Sequence, residues 1–260
     1  MSKKGMTIID AGPENSREIL DFLGNKPFKG RAKAFNGAFS QALHDLHSEQ
    51  SEMIVFNART FLTVNMTRIA DTGKTPELTR SCVRMLAKGG QSEIFKGQAA
   101  NILIAYSAYD AYLFMELVEK YARYQNYNSV KDALLWIVTK NFGNEPVADE
   151  IISSIVSAHW IVFAKFSQKE DRRQNQADAL RKIEGLLMEI AQVRPSEVVD
   201  HLENPRTASD LKEYHVWKVE LRRIAGIARA RYLPTDKGFD ATRSGPDKCI
   251  IGKNGIKAVN

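Results

Sequence analysis

The segment Thr75-Pro-Glu-Leu-Thr-Arg-Ser-Cys-Val-Arg-Met-Leu-Ala-Lys-Gly-Gly90 holds a complete short helix with its own start, stop and faces. Thr75 suits the N-cap, Pro76 the first helical position, and Gly89-Gly90 the stop. At about 100° per residue, Leu78, Cys82, Met85 and Leu86 share one face, and Arg80, Arg84 and Lys88 line the opposite one. A helix with one apolar face has to bury it against a neighbour, which points to layered helix packing. Like charges at i,i+4 repel by a few tenths of a kcal/mol per pair. A stripe of three is therefore suited to a polyanion, against the plainer reading of a solvated face.

The same punctuation runs through most of the chain. Helices are expected at about 16–23, 32–47, 93–124 with a break at Gly97, 129–141, 146–166, 169–193, 196–204 and 209–232. Residues 52–70 fit two patterns. Val55, Ala58, Leu62, Met66 and Ile69 make a helical stripe, while Ile54, Phe56, Leu62, Val64 and Met66 alternate with polar residues as a strand does. Helix is preferred, with a small β-hairpin around 53–67 as the alternative. The expected fold is mainly α, with an N-terminal arm (1–13), two helical lobes (14–144 and 145–233) meeting near Gly143–Pro146, and an extended C-terminal arm (234–260). The arms carry small apolar groups, Ile8 and Ile9 at one end and Ile250, Ile251, Ile256 and Val259 at the other, suited to reaching a neighbouring subunit.

Charge is segregated. The net is +6 over 260 residues, made of +4 in 1–144, −4 in 145–203 and +6 in 204–260. A basic chain of pI about 9.2 fits an anionic partner. Three basic elements stand out: the loop Lys26, Lys29, Arg31 and Lys33; the Arg80, Arg84 and Lys88 stripe; and Lys218, Arg222 and Arg229 on one side of the last helix. Arg59, Arg68 and Lys74 extend the set. Such residues neutralise phosphates without reading bases. Tyrosines recur at 106, 109 and 112 and at 121, 124 and 127. Helix packing explains them first; stacking on unpaired bases is the alternative.

Several function classes find no support. The two cysteines, Cys82 and Cys249, are far apart, which argues against a disulfide or zinc framework. His44 and His47 lack a further ligand, so no metal and no cofactor are expected. Asn141-Phe-Gly-Asn144 and Leu86-Ala-Lys-Gly-Gly90 read as helix terminators and lack the strand and GK[ST] of a P-loop. Ile250-Ile-Gly-Lys-Asn-Gly-Ile-Lys257 resembles the GxxG loop of KH domains, but too little chain follows to build one. No nucleophile elbow or paired carboxylates occur, so no enzyme is expected. Neither a signal peptide nor a membrane span is expected from the apolar runs.

The basic elements, helical lobes and apolar arms together resemble small viral nucleoproteins: the nucleocapsid proteins of segmented negative-strand RNA viruses and the coat proteins of flexible filamentous viruses. The resemblance is one of architecture and charge over the whole chain and rests on no sequence motif, so no family residue transfers. It implies sequence-nonspecific binding of single-stranded RNA, homo-oligomerisation through the arms, and a place in the host cytoplasm and virion. A helical adaptor whose basic faces meet an acidic protein is the alternative.

Overall fold

Segments with a 3.6-residue apolar period fold as amphipathic helices and stack. The computed structural model describes residues 20, 27–47, 51–140, 145–166, 173–207, 209, 211–233, 249–252 and 255–258. Within them the helices are α1 (Ala32–Leu46), α2 (Glu52–Val64), α3 (Met66–Asp71), α4 (Thr75–Ala87), α5 (Glu93–Tyr109), α6 (Leu113–Arg123), α7 (Ser129–Thr139), α8 (Glu145–Phe166), α9 (Arg173–Ala191), α10 (Pro195–Glu203) and α11 (Lys212–Tyr232). A 3-10 turn, Gln125–Tyr127, leads into α7. Two short strands, β1 (Cys249–Gly252) and β2 (Gly255–Ala258), pair antiparallel from Cys249↔Ala258 to Gly252↔Gly255. The mainly helical expectation holds. Lys26, Ile8, Ile9 and Val259 lie outside the described residues.

The 52–70 segment is helical, and the hairpin alternative is corrected. Val55, Ala58, Leu62 and Ile69 are fully buried, whereas Phe56 is exposed, so the period is that of a helix and not of a strand. The run breaks at Asn65, for a tertiary reason. Its side-chain Oδ1 accepts from Phe28 N at 2.8 Å, and its Nδ2 donates to Phe61 O at 2.8 Å. One turn later, Arg68 donates to Phe28 O at 2.9 Å and to Gly30 O at 2.8 Å. Its guanidinium also lies 4.4 Å from the Phe35 ring centre. Asn65 and Arg68 thus pin the basic loop ahead of α1. Gly30 is needed there, because a Cβ would stand 2.3 Å from the Phe28 ring.

Two other boundaries differ from expectation. Lys74, not Thr75, occupies the N-cap of α4, because the Thr75 hydroxyl is engaged by Tyr106 Oη at 2.6 Å. The helical run from Glu93 breaks at Asp110, not at Gly97, which lies buried inside α5. Asp110 adopts extended backbone and its Oδ1 accepts from Tyr112 N at 3.0 Å, an Asx turn that redirects the chain into α6.

The helices pack as a chain of neighbours: α1 on α2, α2 on α5, α5 on α4, and α4 on α7. α6 lies on α8 and α9, α9 touches α8, α10 and α11, and α10 packs on α11. The boundary expected near Gly143–Pro146 falls between α7 and α8. Both α6 and α7 pack across it onto α8 and α9, and the buried side chains form one continuous core. Pro146–Ala164 in α8 is long and apolar enough to cross a membrane by length and composition, yet 56% of it is buried inside the fold.

Candidate nucleic-acid interface

The apolar face of α4 decides where its charges go. Leu78, Cys82, Met85 and Leu86 are all buried, each burial worth about 1.5–3 kcal/mol for a large aliphatic side chain. That orientation turns Arg80 and Arg84 to solvent. Lys88 ends the helix as its C-cap in extended backbone. No acidic side chain among the described residues lies within ion-pair reach of Arg80 or Arg84.

Because α4 packs on α7, the 3-10 turn ahead of α7 and the side of α6 come up beside the stripe. A cleft of about 100 Å³ results, with Arg80, Arg84 and Lys120 as its cations and Asn126, Tyr127 and Ser129 on the opposite wall. Ligand pockets for whole small molecules run to about 300–1,000 Å³, so this hollow is too small for one. α7 begins at its edge, and no side chain caps that start. Uncapped N–H groups and the helix dipole favour an anion there.

The cationic surface continues towards α1. His47, the C-cap of α1, places Nε2 2.7 Å from Ser81 Oγ on α4. Burial first, and then Lys88, Arg84 and His44, push its imidazole below the ordinary value of 6.5. His44 itself faces the buried Asp45 carboxylate at 3.5 Å. The two histidines are therefore engaged separately, one by a carboxylate and one by a hydroxyl.

Lys120 also borders a second, shallower hollow with Glu116, Glu119, Arg123 and Tyr124. Here the cations have local partners: Lys120 Nζ lies 3.6 Å from Glu116 Oε2, and Arg123 Nη2 lies 2.8 Å from Glu119 Oε1. The Lys120–Glu116 pair is exposed, and such i,i+4 pairs are worth only about 0.3–0.5 kcal/mol. The tyrosines divide by location. Tyr106 and Tyr121 are buried, Tyr109, Tyr112 and Tyr124 are exposed, and Tyr127 is half-buried in the cleft wall.

The remaining predicted cations serve other places. Arg68 holds the Phe28–Gly30 backbone, and Lys74 Nζ sits 4.9 Å above the Phe39 ring. Arg59 folds over Phe56 at 4.5 Å. Lys29, Arg31 and Lys33 are exposed around the start of α1, the opposite end of that helix from His47. On α11, Lys218 covers Tyr214 at 5.8 Å, Arg229 pairs with Glu203 at 2.7 Å, and Arg222 is exposed. α11 packs on α8, α9 and α10, whereas α4 packs on α5 and α7. Of the three basic elements, the structure joins the α4 stripe to α6 and α1, and α11 rides on a separate part of the bundle. Sequence spacing gave no signal for Lys120, whose place beside Arg80 depends entirely on the α4–α7 contact. Comparisons of the chain with protein-family models, with curated proteins and with solved structures find no match.

Proposed function

We propose that this chain binds single-stranded RNA without sequence preference and coats it as an oligomerising, non-enzymatic nucleoprotein. The supporting observation is the cleft in which Arg80 and Arg84, exposed and unpaired with any described acid, meet Lys120 from another helix. Holding unneutralised cations side by side costs repulsion energy, and a phosphate backbone relieves it. Lys29, Arg31, Lys33 and Arg222 add exposed charge on other faces, as a strand passing over the surface requires. In this reading Ile8, Ile9, Ile250, Ile251, Ile256 and Val259 link successive protomers, and the particle belongs to the host cytoplasm and the virion of an RNA virus.

A second reading, a helical adaptor for an acidic protein, draws on α11. Val216 and Val219 are 62% and 64% exposed there, next to Arg222 on the same outer face. The two readings separate on purification. A nucleoprotein leaves the cell with RNA, an elevated A260/A280 ratio and ring or filament assemblies in negative stain. After the RNA is stripped, rebinding should weaken with salt at a log–log slope of about −4 if some six phosphates are neutralised. A monomer that is free of nucleic acid and shows no salt-dependent RNA binding would remove the proposal.

A further inference from the structure

Two hollows share Lys120, and each has one tyrosine. Tyr127 walls the first with Arg80 and Arg84, and Tyr124 walls the second with Arg123. The two ring centres are 6.2 Å apart and their planes are inclined by 50°. Tyr124 is 53% exposed although it is a large aromatic, and the turn that displays it, Gln125–Tyr127, buries none of its own residues. Packing explains Tyr106 and Tyr121. It does not explain Tyr124, held open at the rim of a basic cleft beside the half-buried Tyr127.

We infer that this double hollow seats one dinucleotide step of single-stranded RNA, its bridging phosphate among Arg80, Arg84 and Lys120 and its two bases on Tyr127 and Tyr124. The inference rests on the RNA-binding reading above and goes beyond it by naming the ligand's shape. Bases in a duplex repeat every 3.4 Å or so along each strand. Two bases that each lie on a ring 6.2 Å from the next cannot remain stacked on one another, so a duplex does not fit and a single strand does. Stacking accepts any base, because every base has a π-face. That makes the site indifferent to sequence yet able to tell RNA from a polyanion without bases. Glu116 gives up Lys120 on binding, and its exposed carboxylate turns to water.

The test uses the full chain, stripped of nucleic acid, with fluorescence anisotropy of a labelled single-stranded 12-mer, the same sequence as a duplex, and heparin. The single strand should bind more tightly than the duplex at equal salt. Tyr124→Leu and Tyr127→Leu should each weaken the single strand by about tenfold, and leave heparin unchanged. Tyr124→Phe and Tyr127→Phe should restore binding, since the ring and not the hydroxyl carries the contact. Because Tyr127 is half-buried, thermal melting of each variant accompanies the titration; Tyr124, being exposed, carries the test if the Tyr127 variant is unstable. Equal losses on heparin and RNA, or no loss on either, would overturn the dinucleotide seat while RNA binding itself stands. Absence of RNA binding by the wild-type chain would instead overturn the underlying reading.

Discussion

His47 Nε2 lies 2.7 Å from Ser81 Oγ, and this contact sets the C-terminal cap of α1 against the basic face of α4. A helix C-terminus ordinarily favours an imidazolium. Here burial acts first against it, and Lys88, Arg84 and His44 add like charge, so the folded chain holds the ring below 6.5. The sign follows from proton counting. The unfolded chain takes up the proton more readily, so this group's contribution to stability is full above 6.5 and is lost as pH falls through the lower folded value.

RNA binding should therefore take up a proton at this ring. A phosphate backbone lying on Arg84 and Lys88 removes the repulsion that disfavours the imidazolium. Affinity for single-stranded RNA is expected to rise as pH falls from about 7.5 to about 5.5 at constant ionic strength, and His47→Gln should flatten that rise. Identical pH profiles for the two proteins, measured by anisotropy, would disconnect His47 from the interface.

Arg80 and Arg84 are exposed, so their replacement tests binding without disturbing the core. Arg80→Ala combined with Arg84→Ala should change unfolding free energy by no more than about 0.5 kcal/mol. The same variant should make the salt slope of RNA binding shallower by about 1.4, two phosphate contacts at roughly 0.7 each. An unchanged slope would take the phosphates away from this cleft.

Arg68 should behave in the opposite way. Its Nη1 and Nη2 donate to the Phe28 and Gly30 carbonyls, and its guanidinium lies against Phe35. Arg68→Met strips two charged hydrogen bonds from carbonyl groups at a buried turn, with an expected cost of about 2–4 kcal/mol. Urea midpoints should drop, and the salt slope for RNA should stay as in the wild type. A stable variant with a shallower slope would make Arg68 a phosphate ligand after all.

The helices were legible because their apolar stripes depend on local spacing: Val55, Ala58, Leu62 and Ile69 are buried as their period requires. Their ends were less so, because distant partners compete for capping groups. Thr75 is drawn away from the cap by Tyr106, 31 residues on, and Asn65 breaks a helix to hold Phe28, 37 residues back. Of the site, Arg80 and Arg84 were visible as a stripe. Lys120 was not, since it reaches them only through the packing of α4 on α7. The tyrosines at 124 and 127 were visible as a repeat, but which of the six stay open to solvent depends on the turn at Gln125–Tyr127.

Deep in the second half of the bundle, Trp217 Nε1 donates to His159 Nδ1 at 2.9 Å, with both side chains fully buried. An indole N–H only donates, so Nδ1 has to carry the lone pair and the ring proton sits on Nε2. Nε2 points towards Glu184, whose oxygen at 3.8 Å is close enough for attraction and too far for a hydrogen bond. Glu184 is held below the usual carboxylate range chiefly by this histidine, with Arg223 assisting against burial. Trp217→Phe keeps most of the apolar volume and deletes the donor. It should cost about 1–3 kcal/mol near neutral pH, because Nδ1 is left buried and unpaired. The measurement is urea unfolding at pH 7, comparing the variant with the wild type. A penalty below about 0.5 kcal/mol would show that the Trp217–His159 bond has little hold on the fold.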